Sequence, residues 1–426
     1  MGLNVLNRKR LLPASAFSTV PGVSPEGTAM KAVLRLPSVQ NRLAELFDFL
    51  PTGSAYGVSE SADVVTRTID GVDTNVLWAA YQQAVAFRNA QRQPIMDFLT
   101  YNVNTPFEGI PVVDGTARFE RASEYGVPRS ARVAGSFRWM GFDFDWFDLS
   151  TRFTWEFLAD ATASQVDAVA QAALEADNIL NHQMVMWTLF NNTTRPVTID
   201  TRPYTVYPFY NGDSEVPPTY KTTTFTAPHN HYQISGGATV VSGDLDDMYT
   251  ELAHHGYLKA NGYELILMVN KAQGDVIRGF RSVANGGTAL YDFIPSVNTP
   301  SFLLPVTLRL AENQPQPPSS LRGMMVIGSY GEFIIIQEDY IPAGYMVAFA
   351  TGGQQSVQNP IGIREHANTA LRGLRLVKGR NADYPLQESI YQRGFGTGIR
   401  FRGAGVVMQI AASGSYAIPA AYATQP

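Results

Sequence analysis

The chain of 426 residues contains no cysteine. Disulfide frameworks, thiolate metal sites and cysteine nucleophiles are therefore excluded. Lysine is scarce: 6 residues against 26 arginines, with none between Lys31 and Lys221. Charged side chains make up only 16% of the chain, and its formal charge of −5 lacks the basic signature of a nucleic-acid binder. No apolar run reaches membrane-span length, and the opening "MGLNVLNRKRLLP" has no signal-peptide core. The chain is thus expected to be made and kept in a cytoplasm, with no membrane partner. Also lacking are a G-x-S-x-G nucleophile turn and a G-x-x-x-x-G-K-[ST] phosphate loop.

What is present is apolar and aromatic. The apolar share is 45%, with 23 Phe, 20 Tyr and 5 Trp. A weakly charged chain of this kind is expected to hide surface in contacts with other chains, or in one large core. Its length exceeds one ordinary core, so two domains or one elaborated fold are expected. Arginine suits planar, bidentate pairing at interfaces. Genome base composition is the other source of such a bias.

Residues 1–36 are broken by Pro13, Pro21 and Pro25 and have no period, so they read as an arm. A short helix is expected from an N-cap at Ser38 to Pro51, and a longer one from about Thr74 to Gln93, stopped by Pro94. From about Pro106 to Leu158 the pattern becomes period-2, a long hairpin of weakly hydrophobic strands. A two-stranded ribbon of that length needs a surface to rest on. Next comes a long amphipathic helix starting at Thr162 or Ser164, with Val166, Val169, Ala173, Ala176, Leu180, Met184 and Trp187 on its apolar face. A capped helix closing on Gly262, the buried strand "YELILMVN", the short helix "GDVIRGFR" and several later strands form an α/β-like segment.

Within the hairpin region "GFDFDWFD" alternates aromatics with carboxylates. On a regular strand Phe142, Phe144 and Trp146 would share one face, and Asp143 and Asp145 the other. The D-x-D spacing is one that some glycosyltransferases use for a metal, but Asp148 falls on the opposite face and no nucleotide-binding context surrounds it. His229 and His231 form H-N-H, which chelates only on a strand, and no third ligand stands at a recognisable spacing. His254 and His255, adjacent on a helix, point apart. No catalytic residue, metal or cofactor is expected. "GFGTGIRFRG" echoes a glycine-rich nucleotide loop but does not join a strand to a helix. The cluster Arg8, Lys9 and Arg10 could touch phosphates.

This order of parts resembles the major capsid proteins of tailed bacteriophages, which have the Hong Kong 97 fold. "YTELAHHGYLKANGYELILMVNKAQGDVIRGF" resembles the helix, strand, helix unit of their axial domain. The "YIPAGY" turn, the "NPIGIRE" run and the "YQRGFG" run before the last strand resemble those of actinobacterial phages. The resemblance implies an α+β fold. It has an N-terminal arm (1–72), a helical segment (73–105) and an extended E-loop hairpin (106–157). A peripheral domain with a spine helix follows (158–227), then an α/β axial domain (228–384) and a return to the peripheral domain (385–426). It implies self-assembly as hexamers and pentamers into an icosahedral shell around double-stranded DNA contacted non-specifically, with a portal as partner. A decoration protein and a separate scaffolding protein are further partners of such shells. Arg118, Arg121, Arg129 and Arg132 on the outgoing half of the hairpin would face Asp143, Asp145 and Asp148 on the return, some pairing between subunits. The founding member's lysine cross-link from this hairpin has no counterpart here. The short arm leads to the expectation of no maturation cleavage. An encapsulin-type shell and a carbohydrate-active enzyme using the D-x-D are the rival readings.

Overall fold

The structure, a computed structural model, describes residues 65–90, 94–112, 119, 121–122, 124, 126, 136–199, 201–297, 317–321, 324–379 and 386–426. The expected arm and the helix after Ser38 lie outside these residues. Its helices are α1 (Thr74–Ala90), α2 (Pro94–Leu99), α3 (Trp155–Asp160), α4 (Ala163–Phe190), α5 (Ser242–His254) and α6 (Lys271–Ile277). The strands begin with β1 (Thr100–Val103), β2 (Phe107–Val112), β3 (Ser136–Gly141), β4 (Asp145–Arg152), β5 (Arg195–Ile199) and β6 (Arg202–Val206). They continue with β7 (Tyr232–Ile234), β8 (Glu264–Val269), β9 (Ile294–Pro295), β10 (Ser320–Leu321), β11 (Met324–Tyr330) and β12 (Phe333–Gln337). The last are β13 (Tyr345–Thr351), β14 (Ile361–Glu365), β15 (Leu374–Lys378), β16 (Glu388–Ile399) and β17 (Gly405–Gln409). Helices and sheets together make an α+β fold. The chain divides into two compact units: Met1–Gln91, Phe147–Asp177 and Leu374–Arg393 form the first, and the remainder forms the second.

In the first unit α1 starts where the Asp73 carboxylate accepts the Asn75 N–H at 2.8 Å, an N-cap bond. Its buried stripe of Leu77, Trp78, Tyr81, Val85 and Arg88 has helical spacing. The helix is described as far as Ala90, and Pro94 opens α2, at the first helical position that proline tolerates. Leu77 and Tyr81 pack with Leu158, Val166, Ala170 and Leu386. The Asn89 amide clasps both backbone groups of Leu374, donating to its carbonyl at 2.7 Å and accepting its N–H at 2.9 Å.

The long helix α4 is within a residue or two of the expected span. The Gln165 amide oxygen accepts the Thr162 N–H at 2.8 Å, half of a capping box. Its buried face differs from the expected one. Val166, Ala170, Ala173, Asp177, Asn181 and Met184 are buried, whereas Ala176 is exposed. Asp177 takes the inner position because it is paired. Arg88 Nε and Arg393 Nη1 each reach its Oδ2 at 2.9 Å, all within the first unit. A buried carboxylate between two guanidiniums is tolerated where the same carboxylate alone would not be.

The second unit contains a mixed sheet of order β10-β11-β12-β8-β13-β17-β7, with β9 beside β11. β8 is its centre, parallel to β12 and antiparallel to β13. Its side chains Leu265, Leu267 and Val269 meet Leu245, Met248 and Leu252 of α5 in one core. α5 closes earlier than expected, at His255 and Gly256, because Gly256 adopts φ +85° there. β1 runs parallel to β14, and β14 antiparallel to the second half of β16.

β2 and β3 pair antiparallel from Phe107↔Gly141 to Val112↔Ser136, the described base of the expected hairpin. "GFDFDWFD" is not one regular strand. β3 ends at Gly141, residues 142–144 are irregular, and β4 begins at Asp145 and joins β16. Phe142 and Asp143 are both buried, so the alternation fails at its first step. The cause lies in "GFGTG". Gly394, Gly396 and Gly398 recur at period 2 on one face of β16. A Cβ on Gly396 would overlap the Asp143 carbonyl, and one on Gly398 would lie 2.7 Å from the Gly141 carbonyl. One on Gly394 would meet the Trp146 ring at 2.6 Å. Residues 141–146 therefore lie directly on a strip of bare backbone. Phe142 packs with Tyr101 and Val103, and its ring lies against Gly362.

Gly396→Ala forces backbone against backbone and is expected to cost ~3 kcal/mol or more, seen as a lowered melting midpoint or loss of soluble protein. Gly243→Ala in α5, where a Cβ meets nothing within 4 Å, is the control and is expected to be neutral or slightly stabilising.

Candidate functional site

The residues expected to face other subunits fall into three settings. Phe142 and Asp143 are interior. The Arg195 guanidinium from β5 binds the Asp143 carboxylate and lies over the Trp187 ring, 4.0 Å from its centroid. Burial raises the Asp143 carboxyl above its ordinary value, and Arg195 works against that rise. Burial likewise lowers Arg195, opposed by Asp143. Each charge makes the other's burial tolerable.

Phe144 and Trp146 are partly covered. Their rings meet edge to face at 5.4 Å, and His366 lies about 6 Å from each. Arg364 stacks over Phe144 at 5.1 Å and donates to the Phe142 carbonyl at 3.3 Å. Trp146 still keeps 43% of its surface exposed.

Asp145 and Asp148 are exposed. Gln425 Nε2 donates to Asp145 at 2.8 Å. Among the described residues neither carboxylate forms an ion pair. Asp143 and Asp145 are thus held by different partners, Arg195 and Gln425. Arg121 is exposed. Arg118, Arg129 and Arg132 lie outside the described residues.

A second exposed feature was not singled out from the sequence. On β3, Phe137 and Trp139 stand 62% and 55% exposed. Trp139 meets Phe107 edge to face at 5.3 Å, and Phe107 stacks on Tyr204 of β6 at 4.5 Å. Phe107, Phe137, Arg138, Trp139, Tyr204 and Glu215 line an open cleft of about 830 Å³. The signal was the period-2 run "SFRWMG", which sends Phe137 and Trp139 one way and buried Met140 the other. The cleft's polar rim is fixed from within. Arg138 binds Glu215 at 3.1 Å, and buried Arg402 holds Asp213 at 2.7 Å and Glu215 at 2.5 Å. Arg402 also stacks on Tyr207 and Tyr210.

Among the described residues one group has metal-ligating chemistry: His229, His231, Glu251 and His255. Sequence spacing could not assemble it, because its two halves lie on separate elements.

A solved chain of Mycobacterium phage Patience is 41% identical, with a TM-score of 0.66, and the match covers 88% of this chain and 98% of that one. Two further solved structures are similar at lower identity. The mature capsid of bacteriophage PhiM1 is 9% identical with a TM-score of 0.43, the match covering 75% of this chain and 88% of that one. The holo-SrpI encapsulin complex of Synechococcus elongatus is 10% identical with a TM-score of 0.43, covering 79% and 97%. No family model and no curated relative matches the chain. The chain belongs to the major capsid proteins of tailed bacteriophages.

Removing one partner of the pair beside the glycine strip should be costly. Arg195→Ala strands the buried Asp143 carboxylate and is expected to destabilise by ~3 kcal/mol. Asp143→Asn combined with Arg195→Met is expected to cost clearly less, and denaturant midpoints of the two variants check the order.

Proposed function

We propose that this chain is the shell subunit of a tailed-phage virion, with the Hong Kong 97 arrangement of arm, E-loop hairpin, spine helix, peripheral domain and axial domain. Copies assemble in the host cytoplasm as hexamers and pentamers into an icosahedral shell that encloses double-stranded DNA. The contacts are non-covalent and the role is structural rather than enzymatic. The reading is carried by the match to the phage chain along 98% of that chain's length. The exposed aromatics supply a physical reason for association. Phe137, Trp139 and Trp146 are exposed members of a class of residue that interfaces favour and free surfaces disfavour.

Phe144, Asp145, Trp146 and Asp148 are proposed to face neighbouring subunits, with Phe142 and Asp143 shaping that edge from beneath. Arg118, Arg121, Arg129 and Arg132 of an adjacent hairpin are the proposed partners of the two exposed carboxylates. A portal, a separate scaffolding protein and a decoration protein complete the set of proposed partners.

Electron microscopy of the purified protein is expected to show closed shells or capsomers, and particles from infected cells should carry nuclease-protected DNA. A stable monomer in size-exclusion chromatography would overturn the proposal. Shells filled with an enzyme instead of DNA would favour the encapsulin reading. Denaturing electrophoresis of particles should give a free band near 46.7 kDa, because no lysine stands between Lys31 and Lys221 to weld hairpins together. A ladder of higher-mass species would refute the non-covalent assembly. Within assembled particles, Asp148→Arg is expected to impair closure more than it lowers the melting point of the free chain.

A further inference from the structure

His229, His231 and His255 bring three imidazole Nε2 atoms into one triangle. The separations are 2.9 Å for His229–His231, 2.9 Å for His229–His255 and 3.0 Å for His231–His255. His231 is fully buried, and its Nδ1 lies 2.7 Å from the Gly405 carbonyl. A carbonyl only accepts, so Nδ1 carries the proton and, in the neutral ring, Nε2 offers only a lone pair.

That assignment leaves the triangle without a consistent set of hydrogen bonds. If His229 and His255 both donate to His231, their two N–H groups oppose each other at 2.9 Å. If either accepts instead, two lone pairs face each other across 2.9 or 3.0 Å. Every distribution of protons leaves at least one close contact between like groups. A cation among the three nitrogens removes the conflict, because all three then act as donors of a lone pair to one centre.

The spacing suits that centre. An ion with ~2.1 Å bonds to nitrogen separates neighbouring ligands by about 3.0 Å at right angles and about 3.4 Å in a tetrahedron. Glu251 completes the group. Its Oε2 lies 3.7 Å from His229 Nε2 and 4.0 Å from His231 Nε2, and it is buried without a hydrogen-bond partner. All four donor atoms lie within 4.8 Å of one another.

The frame is built to hold these groups. Residues 229–231 are extended, with the Gly212 N–H donating to the His229 carbonyl at 2.9 Å and the His231 N–H to the Tyr210 carbonyl at 2.6 Å. That is the geometry in which an H-x-H pair can chelate. Glu251 and His255 stand four residues apart at the end of α5, on one side of the helix. The His255 ring stacks on Phe225 at 4.5 Å, and the Gly405 carbonyl orients His231. Such outer contacts are the usual support of metal ligands.

We propose that His229, His231, His255 and Glu251 bind one divalent transition-metal ion, with zinc as its probe. Three imidazoles and a carboxylate supply four protein ligands, His231 fully buried and the other three half-buried, and four protein ligands make the ion structural. It ties the segment before β7 to the end of α5 and, through Gly405, to the start of β17. Burial disfavours a proton on all three rings, pushing His255, His231 and His229 down from the ordinary value.

The test is calorimetric titration of the chelator-stripped, dialysed full chain with zinc chloride, with cobalt(II) absorption in parallel. One zinc per chain is expected, with a higher melting midpoint when it is bound. His229→Ala should weaken binding by more than the ~10–100-fold typical of losing an outer-shell partner. Glu251→Gln keeps the side-chain shape and serves where His229→Ala does not fold; it too should weaken zinc binding and alter the cobalt spectrum. His366→Ala, outside the group, should leave both unchanged. The proposal is overturned if the wild-type chain takes up no stoichiometric zinc, or if neither cluster variant differs from it in affinity or spectrum.

Discussion

The contact of residues 141–146 with Gly394, Gly396 and Gly398 is the constraint on which the neighbouring surface depends. Three side chains reduced to hydrogen let one backbone lie on another. That approach ends β3 at Gly141, because the next residues follow the glycine strip instead of the hairpin ladder. It puts Phe142 and Asp143 both inside, against the alternation of the sequence. A buried Asp143 then needs a cation, which Arg195 supplies, and Arg195 in turn needs the face of Trp187. Beyond Phe144 the chain regains a strand, and Trp146 emerges partly exposed. A Cβ on Gly396 would displace every step of this series.

Arginine is the second recurring device. In the first unit Arg88 and Arg393 share Asp177, and in the second Arg195 holds Asp143 and Arg402 holds Asp213 and Glu215. Arg402 also donates to the carbonyls of Pro208 and Phe209 and to Asn211. An ammonium has no flat face to stack and no fork to divide among several acceptors. Genome composition acts on buried and exposed positions alike, whereas at these buried positions the plane and the fork of the guanidinium are both in use. The choice of arginine there is a packing requirement.

The strongly periodic elements were legible in the sequence. The long helix and the strand β8 stand close to their expected places, because each buries one face at its own period, whereas α5 closes before the expected Gly262 and α6 begins three residues before the expected "GDVIRGFR". Misreadings came where a partner distant in sequence decided the outcome. Asp177 and Asn181, rather than Ala176 and Leu180, lie on the buried face of α4, and for Asp177 the reason is its ion pairs with Arg88 and Arg393. "GFGTG" reads locally as an odd glycine-rich strand; its use becomes visible only when residues 141–146 are laid on it. The H-N-H pair lacked a third ligand because His255 lies 24 residues beyond His231 and reaches it through the end of a helix. Local pattern carries local geometry, and none of these three contacts is local.

The distribution of charge between interior and surface bears on how copies of the chain meet. Two of the buried carboxylates, Asp143 and Asp177, are matched by arginines within their own unit, as are the Asp213 and Glu215 carboxylates held by Arg402. Left outward are large aromatics on β3 and β4 and the exposed carboxylates Asp145 and Asp148. Aromatic anchors supply most of the energy of an interface, whereas rim charges contribute chiefly to register and partner choice. Internal neutralisation therefore has a consequence for assembly. A neighbour that covers Phe137, Trp139 or Trp146 desolvates apolar surface and strands no internal charge. On the proposed pairing with a neighbour's arginines, Asp145 and Asp148 would then select which basic edge comes to rest beside them.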